Sequence, residues 1–283
     1  MDIYSNKQGI TEHISQLKEE GFTIGFVPTM GALHAGHGML VKQALIDNDY
    51  VVVSVFVNPT QFDNNADLET YPRTLDDDAS LLKSISDTNI LLYTPSVNDI
   101  YEDNLTSESF NFEGLEFEME GEFRHGHFNG VATVLKRFFN ILKPNKAYFG
   151  EKDFQQLCIV KKLVEKYHIP VLIESCEIHR EDDGLAMSSR NKRLKPEYRA
   201  SAPLIYQVLS EVKSRFKDSS IPNIAQWVEN QFRKAPHLEL EYFIIADIST
   251  LKKTNFKAPS QRYRAFIAAY ADDVRLIDNI PLN

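Results

Sequence analysis

Ile10, Ile14 and Leu17 recur at helical spacing, and Gly21 follows where a left-handed C-cap belongs, so residues 10–20 are predicted as an amphipathic helix. Phe22–Val27 is a short apolar run that Pro28 is expected to end, and a loop with Gly31 and Gly36 leads into a second helical pattern at Met39–Ile46. Tyr50–Val57 reads YVVVSVFV, apolar on both faces, as a strand covered by helices on both sides must be. Strand, glycine loop, helix and buried strand make a βαβ unit. The alternation continues with a helix at Leu75–Ser86, a strand at Ile90–Tyr93 and an irregular stretch at Pro95–Asn129. An apolar helix at Val131–Leu142 stopped by Pro144, a strand at Ala147–Phe149, a helix at Phe154–Tyr167 and a strand at Val171–Glu177 follow. This order predicts an α/β fold, a mostly parallel sheet with helices on both faces.

The texture changes between Ser175 and Asp183. Beyond it, helical Pro196–Phe216 and Pro222–Lys234 precede strand-like Glu239–Ile248 and Tyr263–Ala271. Residues 1–178 are therefore expected to form the larger domain and residues 179–283 a smaller C-terminal α+β domain, a division that the 283-residue length accommodates. The net charge of −9 repels polyanions and anionic surfaces, so neither nucleic acid nor membrane is an expected partner, and an anionic ligand must meet a local basic cluster. Tyr50–Val57 is the longest nearly continuous apolar run, far short of the roughly 20 residues of a membrane helix. Cys158 and Cys176 lie in apolar segments without CxxC spacing, which predicts two inert thiols in a reducing compartment. The N-terminal stretch MDIYSNKQGITEH carries no export or organelle pattern, and a cytoplasmic location is expected.

The candidate chemistry begins in Pro28-Thr-Met-Gly-Ala-Leu-His34-Ala-Gly-His37, which joins the first long strand to its helix, where open parallel sheets bind ligands. Glycines admit a phosphate close to the backbone, the following helix offers N–H groups and a positive dipole end, and two imidazoles three residues apart can both address that phosphate. One preorganised donor of this kind contributes about 3 kcal/mol in a transition state. The plainer reading is that His34 and His37 cap the helix. Gly150-Glu-Lys-Asp153 again follows a strand and opens a helix, with Lys152 as a point charge for phosphates and Asp153 as an N-cap candidate. Met187-Ser188-Ser189-Arg190 pairs two hydroxyls with a guanidinium fork that matches phosphate oxygens, although an ordinary surface loop has the same composition. Asn58 and Gln61 follow the second long strand, and their amides suit a substrate bearing hydroxyls; a turn with a surface glutamine is the alternative. Asp76, Asp77 and Asp78 read as the acidic first turn of the helix at Leu75, N-capped by Thr74, rather than as a metal site.

The HxGH pattern after a first strand resembles the nucleotidyltransferase superfamily that includes class I aminoacyl-tRNA synthetases, and the wording from Pro28 to His37 is closer to the pantoate–β-alanine ligase family. Four further blocks agree: Val57-Asn-Pro-Thr-Gln-Phe62 with Tyr71-Pro-Arg73; Arg124-His-Gly-His-Phe-Asn-Gly-Val131; Phe149-Gly-Glu-Lys-Asp-Phe-Gln-Gln156; and Arg180-Glu-Asp-Asp-Gly-Leu-Ala-Met-Ser-Ser-Arg-Asn191. The resemblance spans residues 28–191. It departs at His125, where the family usually has Pro, and at Gly38, where it usually has Leu and where glycine lowers helix propensity by up to about 1 kcal/mol.

The resemblance implies a Rossmann-like domain and ATP-dependent joining of pantoate to β-alanine through a pantoyl-adenylate, releasing AMP and pyrophosphate. It implies ATP binding along Met30, Gly31, Ala32, Leu33, His34, Ala35, Gly36 and His37, along Gly150, Glu151, Lys152 and Asp153, and at His179, Met187, Ser188, Ser189 and Arg190. It gives pantoate and β-alanine to Gln61, Gln156 and Asn58, and transition-state donors to His34, His37, Lys152, Ser188, Ser189 and Arg190. Mg²⁺ is expected to ride on the ATP phosphates with no dedicated protein ligands. A homodimer is implied in the same way. Two other readings are an adenylyltransferase that stops at a dinucleotide-like product and a nucleotide-binding regulator without turnover.

Overall fold

The computed structural model describes residues 1–62, 65–102 and 104–283. The chain divides into two compact units, Met1–Glu151 with Gln155–Glu177, and Lys152–Phe154 with Ile178–Asn283. The first unit is built on a six-stranded sheet of β1 (Asp2–Tyr4), β2 (Ile24–Thr29), β3 (Tyr50–Val55), β4 (Ile90–Tyr93), β5 (Lys146–Gly150) and β6 (Leu172–Cys176), ordered β1-β4-β3-β2-β5-β6. Every pairing is parallel. Strand order reverses between β2 and β5, the switch point at which such sheets open a crevice beyond their carboxyl ends. The β2–β5 ladder holds only Gly25↔Lys146 and Phe26↔Ala147, whereas β2 pairs with β3 as far as Thr29↔Val55.

That parting corrects the reading of Pro28 as a strand end. Ile24 exchanges hydrogen bonds with Asn145 on the β5 side. By the two-residue period Pro28 faces the same side, past the last β2–β5 pair, so its missing N–H costs no ladder bond and β2 continues to Thr29. Helices cover both faces. On one, Val27, Val51 and Val53 pack with Val41, Ala44 and Leu82. On the other, the helix His127–Leu142 inserts Phe138 against Phe26, Phe56 and Tyr93 at ring distances of 5.6, 5.9 and 6.0 Å. The helices expected from Leu75 and Phe154 start there, whereas two others start earlier than periodicity places them because side-chain caps set them: Asn6 accepts from Gly9 N to begin Lys7–Glu19, and His34 accepts from Gly36 N to begin Ala35–Asp47. Cys158 and Cys176 are half-buried thiols, and burial pushes Cys176 up to about 11, leaving it protonated.

The second unit carries an antiparallel sheet, β7 (Glu239–Asp247), β8 (Tyr263–Ala271) and β9 (Val274–Pro281), in that order, with helices Leu204–Phe216 and Ile221–Phe232 packed on it. The single helix expected over Pro196–Phe216 is two, Pro196–Ser201 and Leu204–Phe216, since Pro203 has no N–H to continue the first. β9 has no counterpart in the sequence reading. Its polar pair Asp278-Asn279 interrupts the apolar alternation, yet both residues are buried. Among the described residues no helix is long and apolar enough to cross a membrane.

Candidate functional site

The loop after β2 turns through two left-handed residues, Gly31 (φ +85°) and Ala32 (φ +50°). A side chain at Gly31 would meet Val55 at 2.9 Å and Asp78 at 3.1 Å, so only glycine fits. The Asp78 carboxylate is buried beneath this turn and accepts from Ala32 N (3.0 Å), Leu33 N (2.7 Å) and Thr74 Oγ1 (3.2 Å). Thr29 Oγ1 accepts from Gly31 N at 3.1 Å and donates to Ser54 O at 2.6 Å. The acidic triplet stands in the first turn of the helix Leu75–Ile85 as expected, with Asp76 and Asp77 exposed, and Asp78 in addition organises the loop. Thr74 stands at the N-cap position without a side-chain cap bond, its hydroxyl being spent on Asp78.

The amides of Gly31, Ala32, Leu33, His34 and Gly36 are all donated within the protein, so the loop presents imidazoles more than a backbone cradle. His34 caps the helix Ala35–Asp47, its Nδ1 accepting from Gly36 N at 3.2 Å, while His37 Nδ1 accepts from His34 N at 3.4 Å. The rings lie 4.1 Å apart. A neutral imidazole that accepts through Nδ1 carries its proton on Nε2, a tautomer assigned here from the hydrogen bonds. The cap reading of both histidines therefore holds, and each cap bond leaves the ring proton on Nε2.

Beyond β3, Asn58 and Gln61 are buried in and beside the 3₁₀ turn Pro59–Gln61. Asn58 Nδ2 donates to Gln61 Oε1 (3.1 Å) and Gly130 O (3.2 Å), and its Oδ1 accepts from Thr60 Oγ1 (3.1 Å) and Tyr101 OH (2.6 Å). Every hydrogen-bonding position of that amide is filled, which makes Asn58 the frame for Gln61. Burial pushes the Tyr101 phenol up, keeping it a donor. Among the described residues Gln61 Nε2 meets only the thioether of Met30, at 2.9 Å, a weak acceptor for a buried amide. His127 Nδ1 donates to Gln61 O at 2.8 Å, with Arg124 on its other nitrogen at 3.3 Å. Gly130 allows this packing, because a Cβ there would stand 2.2 Å from Thr60 O. Gln156 is half-buried on the helix Phe154–Lys166. Its neighbour Gln155 brackets Leu115 O, Glu118 O and Glu120 N. His125 is exposed in a turn closed by His127 N to Arg124 O.

In the second unit, Lys152 and Asp153 occupy the 3₁₀ turn Glu151–Asp153, their charges 3.9 Å apart. Asn279 Nδ2 donates to Lys152 O at 2.9 Å. Arg180 forks onto Asp278 at 2.6 and 3.0 Å, donates to Gly184 O at 3.0 Å and stacks 3.8 Å over Tyr206. Burial pushes the Asp278 carboxyl up, with the Arg180 fork pulling the other way. The segment then folds back, Met187 N reaching His179 O, and Asn191 ties Glu181 Oε1 (2.7 Å) to Ala186 O (3.1 Å). Ser188 caps the 3₁₀ turn Ser189–Arg193 by accepting from Arg190 N at 3.2 Å. Met187–Arg190 are half-buried. Asp78, Tyr101, His127, Asp278 and Asn279 are the site-shaping residues that sequence reasoning missed. Burial of a polar side chain is what distinguishes them, and burial is not legible in the residue type.

The sequence profile of the pantoate-beta-alanine ligase family matches residues 2–281. The chain is 54% identical over the full length of both proteins to pantothenate synthetase of Christiangramia forsetii. Among solved structures it is similar to pantothenate synthetase of Thermus thermophilus, with TM-score 0.91, 36% identity and coverage of 100% of this chain and 99% of that one. It is also similar to pantoate-beta-alanine ligase of Francisella tularensis solved with beta-gamma ATP and beta-alanine, with TM-score 0.83, 36% identity and coverage of 100% and 98%.

Proposed function

The chain belongs to the pantoate–β-alanine ligase family, and we propose that it joins pantoate to β-alanine in two steps at the expense of MgATP. In the first the pantoate carboxylate attacks the α-phosphorus in line and pyrophosphate leaves; in the second the amine of β-alanine attacks the acyl carbon of the pantoyl-adenylate, and AMP leaves with the bond electrons. The single observation that carries this reading is the pair of Nε2–H donors held at 4.1 Å ring separation by their own cap bonds. Donors preorganised for a substituting phosphorus contribute most where charge develops.

Other residues take roles their surroundings support. Gln61 offers a buried amide whose nitrogen meets the weak thioether acceptor of Met30, so a ligand hydroxyl or carboxylate gains a stronger hydrogen bond there. Lys152, Ser188, Ser189 and Arg190 supply donors for the departing pyrophosphate, and Met30–His37, Gly150–Asp153, His179 and Met187 line the nucleotide. Gln156 is assigned to pantoate with Gln61. The relative solved with beta-gamma ATP and beta-alanine supports the choice of ATP and amine.

The test is isotope exchange. With ATP, Mg²⁺ and pantoate but no β-alanine, labelled pyrophosphate should enter ATP, because the adenylate forms reversibly before any amine is needed. ADP and phosphate as stoichiometric products, or no exchange without the amine, would overturn the adenylate route.

A further inference from the structure

We propose that Asp278 and Asn279 of β9 are positioning residues for adenylate formation: one strand end holds both the backbone of Lys152 and the arm that carries Met187–Arg190. The inference rests on the reading of Lys152 and that arm as pyrophosphate donors, and it concerns residues to which that reading gives no role.

Lys152 follows β5 by two residues, yet its carbonyl is held from a strand 127 residues away. Asn279 is 2% exposed. Its Nδ2 grips Lys152 O at 2.9 Å, and its Oδ1 accepts from Arg264, so the amide cannot turn over. The Arg264 guanidinium lies 4.0 Å over the ring of Phe154, and Phe266 meets the same ring at 5.9 Å. Lys152–Phe154 is thus held at its first carbonyl and its last side chain. The adjacent Asp278 is 4% exposed and receives both arms of the Arg180 fork. Arg180 in turn holds Gly184 O, and the fold-back through Ala186 and Asn191 leads into Met187–Arg190. Neighbouring residues of a strand point to opposite faces, so consecutive side chains can serve two separate segments.

Burying a carboxylate, a guanidinium and an amide here is a poor way to stabilise a small sheet, since apolar residues of similar size commonly do as well or better. What the polar set provides is fixed geometry. A lysine on a four-carbon stem loses donor alignment when its backbone shifts, and a displacement of about 1 Å can cost about a hundredfold in rate.

The experiment uses the full chain with two half-reactions: pyrophosphate exchange with ATP and pantoate, and aminolysis of supplied pantoyl-adenylate by β-alanine. In Asn279→Ala, exchange kcat is expected to fall by about ten- to a hundredfold with the KM for pantoate within about twofold. Aminolysis, which does not expel pyrophosphate, should stay within about threefold. Asn279→Asp has the same shape but cannot donate to a carbonyl, and it should behave like alanine rather than like asparagine. Arg264→Lys, which leaves Asn279 in place but frees its amide, serves should either variant fail to fold, and it should lower exchange more than aminolysis. Exchange within about twofold of the parent in a folded variant, or equal losses in both half-reactions, would overturn the inference. An unaltered chain that catalyses no exchange would sink the functional reading, and the inference with it.

Discussion

After β2 the chain turns through Gly31 and Ala32 into the helix that carries His34 and His37; after β5 it passes through Lys152 and Asp153 into another helix. Both are short loops leaving neighbouring strands of one sheet, and they are held in different ways. The first is organised by its own residues and by Asp78, 45 to 46 positions along the chain in the same unit. The second takes its anchor from β9, 127 positions away in a different sheet. A histidine pair whose tautomer is set by adjacent backbone N–H groups keeps its orientation as long as its helix exists. A lysine on a turn has no such local device, so its alignment depends on a distant strand being formed.

The largest effect should come from removing a donor of the locally organised loop. His37→Ala is expected to lower the rate of pyrophosphate exchange by about two to three orders of magnitude while ATP binding weakens far less, as single-turnover rates and equilibrium titration would show. Near-normal turnover would remove the imidazole from the chemistry. Asp78→Asn comes next. It keeps one acceptor oxygen but turns an NH₂ toward amides that themselves donate, so the loop should lose its turn and exchange should fall by about ten- to a hundredfold. The comparison would break if Asp78→Asn lost less than Asn279→Ala, because the local loop would then be the more tolerant of the two.

A third test lies on the pantoate side. Gln61→Leu removes the amide that faces Met30 and should raise the KM for pantoate by the equivalent of about 1–3 kcal/mol while leaving that for ATP nearly unchanged. Equal changes for both substrates in steady-state kinetics would point to collapse of the Asn58–Tyr101 frame instead. The smallest effect sharpens the comparison. Gly38 lies in the helix after His37, and a Cβ there would meet only the tip of Ile85, at 3.4 Å. Gly38→Ala should therefore raise the unfolding free energy by about 0.5–1 kcal/mol in denaturant titration. A destabilised variant would mean that this helix start is packed more tightly than that distance implies.

Periodicity and local chemistry were enough for much of the molecule. The all-apolar run of β3, the helical spacing of Ile10, Ile14 and Leu17, and the glycine loop with two histidines are properties of adjacent residues, and a parallel sheet covered on both faces follows from them. Tertiary structure decided what depends on a remote partner. Pro28 continues a strand because β5 has parted from it; Asp78 is a loop anchor as well as a first-turn charge because the turn at Ala32 lies over it; and Asn279 is buried inside a strand because Arg264 and Lys152 satisfy its amide. A proline, an aspartate or an asparagine reads alone as a terminator, a surface charge or a turn. Each changes meaning only when a group far along the chain fills its hydrogen bonds or removes the need for one, since a buried polar group is tolerated where it is paired and not otherwise.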